Sequence, residues 1–414
     1  MVWRLLTSPY SNLLQRSSGC GRHDYGGWKR VRVALRHITS FCRAGSAGIL
    51  PPILARVLID ITHDDVVNEE SDESQTSSQD TFAYLPIPQT TMFSRNLKKL
   101  ARNPILGARR HHGQGNGGLP THFTLNSGDK IPSVGLGVWR AGKGEVGGAV
   151  KAALNAGYRH IDGAWIYRNE EEVGKALKDS GVARDQIWLT SKLWNSFHAP
   201  EDVEATLDDS LLKLGTDYLD LYLVHWPLAL KKGSKKYDKE LTDNQYPTWQ
   251  KLEEMVEKGK IRNIGVSNFT IPKIEALRWN PLKIDPAVNQ IELNYWFPQP
   301  DMLQWSKETG ILLQAYSPLG SVGRVSESLN VPVVKEIAKV LKITPAQVLI
   351  SWHVQRGTVV PPKSVTPSRI EENVHLTKLP DELFRKLEDA AMSHKPERGL
   401  NPSKEWGLDF DIFA

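Results

Sequence analysis

The feature that most restricts the fold of this chain is an alternation of short apolar runs with amphipathic, helix-like segments. Eight runs are rich in β-branched and aromatic residues, and each is followed by room for a helix. They are VGLGV, RHIDGAW, IWLTSKLW, DLYLVHW, IRNIGVS, VNQIEL, LLQAYSPL and TVVPPKSV. Eight parallel strand–helix units favour a closed (β/α)8 TIM barrel over a doubly wound sheet, because such barrels need that count and take about 250 residues.

Between these runs, apolar residues recur at helical spacing in segments that end at glycine, a usual stop signal of a helix. The recurring residues are Val146, Val150 and Leu154; Val203, Leu207, Leu211 and Leu214; and Trp249, Leu252 and Val256. We therefore expect one α/β barrel domain spanning residues 119–414.

Residues 1–118 differ from the rest in composition. Residues 1–59 carry nine Arg or Lys against one acid, whereas residues 60–80 carry eight acids and no Lys or Arg. Such biased sequence with little apolar periodicity predicts a mostly disordered N-terminal extension. Its Arg-rich start resembles a mitochondrial transit peptide, and an untargeted tail explains the composition equally well. We expect a cytoplasmic protein, with a mitochondrial location as the alternative.

Composition and motifs argue against several classes of protein. The only cysteines, Cys20 and Cys42, lie in the extension, so the barrel sequence offers no disulfide, thiol nucleophile or cysteine-based zinc site. No HExxH, EF-hand or Walker motif is present, and we expect no metal. The net charge of +5 sums segments of opposite sign, so it indicates no nucleic-acid partner.

The apolar run AGILPPILARVLI is short, holds two prolines and is broken by Arg56, so we expect no membrane span. We expect a monomer that acts on a small molecule.

Four polar residues stand at or just after the ends of three successive runs: Asp162, Tyr167, Lys192 and His225. Active sites of such barrels form at the carboxyl ends of the strands, so these side chains are expected to meet at one mouth. Each has a structural explanation of its own. Asp162 and Lys192 can form an ion pair, Tyr167 can be a packed aromatic residue, and His225 can be a hydrogen-bonded core histidine.

Together, the four residues can form a proton donor. A nearby ammonium group favours a phenolate, so Lys192 is expected to lower the pKa of Tyr167. Asp162 is the carboxylate that can pair with Lys192, and His225 can orient a substrate carbonyl by hydrogen bonding. Such a donor, placed opposite a hydride-donating cofactor, would reduce an aldehyde or ketone.

These residues lie in motifs that resemble those of the aldo-keto reductases. The stretch GYRHIDGAWIYRNEEEVGKAL is similar to the family's first signature, LYLVHWP to its histidine strand, IGVSNF to its next motif and PKSVTPSRIEEN to its last. The resemblance covers residues 121 to about 413 and implies a catalytic tetrad with Tyr167 as general acid. The other members would be Asp162, Lys192 and His225. Within the family, fungal aldehyde reductases and glycerol dehydrogenases are the most similar.

The resemblance also implies NADPH as cofactor. Ser267 and Asn268 would hold the nicotinamide carboxamide with help from Gln290, and Tyr316 would stack on the ring. The residues implied to follow the pyrophosphate are Ser317, Leu319 and Ser321. Those implied to contact the adenosine end are Lys363, Ser364, Arg369, Glu372 and Asn373.

The run KSVTPSRIEEN follows the eighth strand, where barrels often form a phosphate site. Thr366 can cap a helix there, with Pro367 in its first turn, so that backbone N–H groups point at an anion. Lys363 and Arg369 flank this point and are expected to hold the 2′-phosphate that distinguishes NADPH from NADH.

Three tryptophans, Trp139, Trp194 and Trp226, stand at or just after strand ends. With His225 they can line an apolar substrate pocket, although general barrel packing would also explain them. Trp406, near the end of the sequence, can cover that pocket.

Two other functions stay open at this point. Lys192 can form a Schiff base with a carbonyl substrate in a lyase, with Tyr167 as proton shuttle. The fold also serves non-catalytic nucleotide sensors such as potassium-channel β-subunits. The complete set of four residues favours reduction of aldehydes and ketones, whose reverse is the oxidation of polyols such as glycerol.

Overall fold

The computed structural model describes residues 118–321 and 323–414. In this part of the chain the strands are His122–Thr124 (β1), Lys130–Pro132 (β2), Leu136–Gly137 (β3), His160–Asp162 (β4), Trp188–Leu193 (β5), Leu219–Val224 (β6), Ile261–Ser267 (β7), Val288–Glu292 (β8) and Leu312–Tyr316 (β9). The helices are Val146–Asn155 (α1), Glu170–Ser180 (α2), Pro200–Leu214 (α3), Lys239–Asp243 (α4), Tyr246–Glu257 (α5), Ile271–Arg278 (α6), Pro300–Thr309 (α7), Val325–Leu329 (α8), Pro332–Leu341 (α9), Pro345–Arg356 (α10), Pro367–Val374 (α11) and Asp381–Met392 (α12).

Strands β3 to β9 form one parallel sheet in which the spatial order equals the sequence order. The sheet closes through residues 358–363, which stand in the place of an eighth strand. Val359 pairs with Gln314 of β9, and Val360 pairs with Val134 beside β3. With helices between successive strands, the architecture is the expected (β/α)8 barrel.

The eighth strand is less regular than its sequence suggested. The run TVVPPKSV forms isolated bridges rather than a continuous strand. Gly137 N donates to Pro362 O at 3.1 Å, but Pro361 and Pro362 have no N–H group to donate in return. The two prolines therefore interrupt the ladder at the point where the barrel closes.

The three helices predicted from apolar spacing are present as α1, α3 and α5. Their recurring apolar residues are buried, with Val256 only partly so. The chain leaves α3 at Gly215 with a φ of 67°, a left-handed angle at which a side chain would be strained. The glycine stop signals thus mark real helix ends.

An N-terminal hairpin, which the sequence did not reveal, closes one end of the barrel. Strands β1 and β2 pair antiparallel. Ile131 of β2 is fully buried and packs in one cluster with Trp188 and Val288, the first residues of β5 and β8. The hairpin therefore covers the amino-terminal end of the strands, and the carboxyl end is left for a site.

Disorder and a targeting leader were predicted for residues 1–118, which lie almost wholly outside the described part of the chain. Cys20 and Cys42 also lie outside it. Of the helices formed by the described residues, none combines the length and the apolar composition of a membrane span. In the same residues, no group of three or more His, Cys, Asp or Glu side chains is placed to hold a metal ion.

The contact between α2 and α3 can be tested at Gly174. A methyl group there would fall within 3.0 Å of the carbonyl oxygens of Lys213 and Leu214. We expect Gly174→Ala to lower the free energy of unfolding by about 1–3 kcal/mol, because overpacking forces the two helices apart. The measurement is urea unfolding followed by circular dichroism.

Gly148→Ala is the matched control for this change. Gly148 is exposed in α1 and has open space around its Cβ position, so alanine should raise the free energy of unfolding by up to about 1 kcal/mol. Equal effects of the two substitutions would contradict the close helix packing.

Candidate active site

The carboxyl ends of the strands open into one cleft of about 1160 Å³. The residues predicted from the sequence to form the site line this cleft, apart from Lys192, which lies beneath it. They are Asp162, Tyr167, His225, Ser267, Asn268, Gln290, Tyr316, Ser317, Leu319, Ser321, Lys363, Ser364, Arg369, Glu372, Asn373, Trp139, Trp194 and Trp226. The topology therefore brings residues from all parts of the barrel sequence to a single mouth.

Asp162 and Lys192 form a buried ion pair at the base of the cleft. Lys192 Nζ donates to Asp162 Oδ1 at 2.8 Å and to the carbonyl oxygen of Gly163 at 2.7 Å. The lysine side chain is 0% exposed. Burial lowers the pKa of Lys192, and the negative charge of Asp162 partly offsets this effect. An ammonium group in this position depends on its carboxylate partner.

The second oxygen of Asp162 accepts two further hydrogen bonds. Gln290 Nε2 donates to Oδ2 at 2.7 Å, and Gln314 Nε2 donates to the same atom at 3.0 Å. Sequence reasoning identified Gln290 but missed Gln314. The signal was present, because Gln314 is a polar residue inside the buried run LLQAY and is 0% exposed.

Tyr167 lies in a 3-10 turn after β4, and its ring centre is 5.3 Å from Lys192 Nζ. Burial raises the pKa of Tyr167 well above its usual value, and Asp162 raises it further. The expected lowering of the Tyr167 pKa by Lys192 was therefore wrong for the protein alone, because burial disfavours the charged phenolate and the negative charge of Asp162 disfavours it further. The phenol keeps its proton at neutral pH, as a general acid must before it reacts.

His225 follows β6, with its ring centre 5.8 Å from that of Tyr167. Its carbonyl oxygen accepts a hydrogen bond from Asn268 Nδ2 at 2.9 Å, which fixes the backbone here. Burial lowers the pKa of His225 well below its usual value, and the charge of Lys192 lowers it further. A neutral imidazole has one N–H group, which can donate to a substrate oxygen beside Tyr167.

Ser267, Asn268 and Tyr316 form a chain of hydrogen bonds along the next strands. Tyr316 Oη donates to Asn268 Oδ1 at 2.8 Å, and Asn268 Nδ2 lies 3.1 Å from Ser267 Oγ. The Ser267 hydroxyl donates to Gln290 O at 2.9 Å. Asn268 has a φ of 65°, a left-handed angle that asparagine tolerates better than most residues. These amide and hydroxyl groups suit a planar carboxamide ligand, and the partly exposed Tyr316 ring suits stacking.

The far end of the cleft is basic and ends at the start of α11. Lys363 and Arg369 are exposed there, and neither forms a salt bridge with another described residue. Pro367 occupies the first turn of the helix, as predicted. Thr366 precedes the helix, but its side chain makes no capping hydrogen bond, contrary to expectation. Its backbone is extended, as is usual for a residue that precedes a helix, and its N–H group donates to Ser364 Oγ at 3.1 Å.

Aromatic rings wall the cleft beside His225. Trp194 lies edge-on to the histidine at a centroid distance of 5.4 Å, and Trp226 stacks on it at 6.3 Å. Trp406 contacts both of these tryptophans edge to face, at 5.9 and 5.0 Å. On the other side, Trp139 lines the cleft with the Arg140 guanidinium 4.5 Å from its ring centre. The pocket next to the polar groups is therefore largely apolar.

Comparison with known proteins agrees with this geometry. Residues 133–391 match the aldo/keto reductase family. A glycerol 2-dehydrogenase (NADP(+)) of Hypocrea jecorina is 43% identical over 65% of this chain and 91% of its own length. An aldehyde reductase of Saccharomyces cerevisiae is 42% identical over 70% of this chain and 96% of its own. The aldose reductase structure from Schistosoma japonicum aligns with a TM-score of 0.64 at 38% identity, over 70% of this chain and 97% of that one.

This chain belongs to the aldo/keto reductase family.

The dependence of the site on its ion pair can be tested with Asp162→Asn. Breaking a buried pair leaves Lys192 without a compensating charge, so we expect the free energy of unfolding to fall by about 3–5 kcal/mol. Loss of the Asp162 charge also removes an influence that raises the pKa of Tyr167, so the alkaline limb of the pH–rate profile should move to lower pH. Urea unfolding and a pH profile of kcat measure the two effects.

Asp179→Asn is the control, because it breaks the exposed pair between Asp179 and Lys151. It should leave the unfolding midpoint and the pH profile nearly unchanged. A pH profile that is also unchanged in Asp162→Asn would show that Tyr167 and the ion pair are not coupled.

Proposed function

We propose that this protein reduces aldehydes and ketones to alcohols with NADPH and oxidises polyols such as glycerol in the reverse direction. The observation that carries this proposal is the position of Tyr167 in the cleft beside the buried Lys192–Asp162 pair, at the mouth where groups suited to a carboxamide converge. The names of the two fungal relatives, a glycerol 2-dehydrogenase (NADP(+)) and an aldehyde reductase, support the same chemistry.

The proposed roles follow from the positions of the side chains. NADPH, when bound, would be the source of the hydride that the carbonyl carbon receives. His225 donates a hydrogen bond to the carbonyl oxygen and orients it toward Tyr167. As negative charge develops on that oxygen, the Tyr167 hydroxyl donates its proton to it, and the C=O group becomes an alcohol. Lys192, 5.3 Å from the ring centre, stabilises the phenolate that remains.

The residues present also fit the rest of a dinucleotide. Ser267, Asn268 and Gln290 would hold the carboxamide, and the Tyr316 ring would stack on the nicotinamide. Ser317, Leu319 and Ser321 would follow the pyrophosphate along the cleft. Lys363 and Arg369 would bind the 2′-phosphate at the start of α11, with Ser364, Glu372 and Asn373 around the adenosine.

The Schiff-base alternative receives no support from the geometry. A lysine that attacks a carbonyl needs a free, neutral amine at the surface of the pocket. Lys192 is fully buried, does not line the cleft, and donates to Asp162 and to the carbonyl oxygen of Gly163. A purely regulatory nucleotide sensor would not need a substrate pocket beside Tyr167, which the four tryptophans provide.

We also propose that the barrel, residues 119–414, acts as a monomer in the cytoplasm and does not require residues 1–118 for catalysis. The groups assigned to the site lie between Trp139 and Trp406, which supports a barrel that is active without residues 1–118. If the extension targets the protein to mitochondria, the proposed chemistry is unchanged, because no assigned group lies in it.

Replacing Tyr167 by phenylalanine tests the proton donor. The ring is kept and the proton is removed, so we expect kcat/KM for an aldehyde to fall by about 10²–10⁴ while NADPH binding is retained. Steady-state rates and quenching of protein fluorescence by NADPH measure the two quantities. Tyr246→Phe is the control, because that hydroxyl bonds to Pro281 O on the surface and should not affect the rate. A Tyr167→Phe variant that kept most of its activity would exclude this residue as the acid.

The cofactor preference can be tested with Lys363→Gln and Arg369→Gln. Each charge-assisted contact with a phosphate is worth at most about 1.5–3 kcal/mol, and the exposure of Lys363 and Arg369 favours the lower end of that range. We therefore expect NADPH binding to weaken while NADH binding hardly changes. Dissociation constants from fluorescence titration measure this. The matched control is Lys339→Gln with Arg385→Gln, two exposed cations outside the cleft. If the affinities for NADPH and NADH fell equally, the 2′-phosphate site would have to lie elsewhere.

A further inference from the structure

The cleft is covered by the last part of the chain, residues 397–414, which we call the cover segment. Leu400, Pro402 and Trp406 of this segment line the cleft. Trp406 lies between the two tryptophans that flank His225, at 5.9 Å from Trp194 and 5.0 Å from Trp226. One wall of the proposed substrate pocket is therefore supplied by an irregular segment rather than by a barrel strand.

The start of the cover segment is held by a buried carboxylate, Glu292, at the end of β8. Gly399 N donates to Glu292 Oε1 at 3.0 Å and approaches Oε2 at 3.1 Å. Leu400 N donates to Oε2 at 2.9 Å. Glu292 is 1% exposed, and Asn294 Nδ2 also donates to it. Charged acceptors make stronger hydrogen bonds than neutral ones, so this is a firm attachment of two consecutive backbone groups.

The other end of the cover segment is held by apolar contacts. Ile412 is fully buried in a cluster with Trp226 and Leu228. Phe413 lies 6.1 Å from Trp226, ring centre to ring centre. Trp406 thus stands between a polar attachment at residues 399–400 and an apolar attachment at residues 410–413. Loosening either attachment would let the tryptophan move.

Glu292 also lies where the substrate side of the cleft meets the cofactor side. It is paired in register with Tyr316, the residue proposed to stack on the nicotinamide. A methyl group on Gly399 would fall within 3.0 Å of both Ser321 Cβ and Glu292 Oε1. The attached segment therefore packs directly on the loop proposed to follow the pyrophosphate.

We propose that Glu292 is a positioning residue that determines substrate specificity by holding the cover segment, and with it Trp406, against the cleft. The proposal rests on the proposed reductase function. A small aldehyde such as glyceraldehyde reacts at Tyr167 and His225 without needing the Trp406 wall. An aromatic aldehyde fills the apolar pocket and gains binding energy from that wall, so its turnover depends on the attachment.

The test compares Glu292→Gln with Glu388→Gln in the full-length protein. Glutamine keeps the size of the side chain but loses the charge and presents an NH2 group where the Gly399 and Leu400 N–H groups need an acceptor. Glu388 is the matched control: it accepts hydrogen bonds from Trp352 and Arg356 behind the barrel, away from the cleft. Each variant removes the charge of one carboxylate that is at least partly buried. Only the Glu292 carboxylate is hydrogen-bonded to the cover segment.

Kinetics give the first readout. For Glu292→Gln we expect kcat/KM with a bulky aromatic aldehyde to fall at least about tenfold, mainly through KM, while kcat/KM with glyceraldehyde changes less than about twofold. Glu388→Gln should change both aldehydes by the same factor. A uniform loss for both aldehydes in Glu292→Gln would overturn the specificity role.

Hydrogen exchange gives a readout that does not require activity. Mass spectrometry of peptides covering residues 397–406 should show faster exchange in Glu292→Gln than in the wild-type protein and in Glu388→Gln. Unchanged protection would overturn the attachment itself. If the wild-type protein reduces no aldehyde but the exchange result holds, the proposed reductase function fails and the attachment stands.

Gly399→Ala changes the same contact on the side of the cover segment and leaves the buried carboxylate in place. It therefore tests the proposal if Glu292→Gln does not fold. Its added methyl group would push the segment away from Glu292 and Ser321. We expect the same loss of aromatic-aldehyde turnover, together with a higher KM for NADPH because the Ser321 loop is displaced. If the ratio of kcat/KM for the two aldehydes were the same in Gly399→Ala as in the wild-type protein, the proposal would be contradicted.

Discussion

The carboxylate of Asp162 connects four strands of the barrel. One oxygen accepts from Lys192 of β5, and the other accepts from Gln290 of β8 and Gln314 of β9. Asp162 itself ends β4. A charge in this position would be very costly if unpaired, and the three donors satisfy it. The network also fixes part of the surrounding site, because Tyr167 follows β4, which ends at Asp162. His225 follows β6, the strand paired with β5.

The network also determines the charge state of the site. Burial raises the pKa of Tyr167, and the negative charge of Asp162 raises it further despite the nearby Lys192. The tyrosine therefore rests as a phenol, and His225 rests as a neutral imidazole. In the proposed reaction Lys192 matters most after the proton has left Tyr167, when a phenolate faces the ammonium group. A site that holds its proton until charge develops on the substrate favours the transition state over the resting state.

Access to these groups is decided by parts of the chain that are remote in sequence. The β1–β2 hairpin closes the amino-terminal end of the barrel, and residues 397–414 cover part of the carboxyl end. The start of the cover segment is hydrogen-bonded to Glu292, which lies in a strand more than a hundred residues earlier. Because Gly399 packs on Ser321, the substrate wall and the proposed cofactor loop are in direct contact. Binding on one side of the cleft is therefore physically connected to the shape of the other.

The barrel and the polar residues at its mouth could be predicted from the sequence, because apolar periodicity and strand-ending polar residues are local patterns. Asp162, Tyr167, Lys192 and His225 were all visible in this way. Three features could not be predicted from the sequence: the hydrogen bond from Gln314 to Asp162, the raised pKa of Tyr167, and the attachment of Gly399 to Glu292. Each depends on a distance between segments far apart in the chain, or on burial from all sides. The distance between remote segments and the burial of a side chain cannot be read from the sequence, because both arise only when the barrel closes.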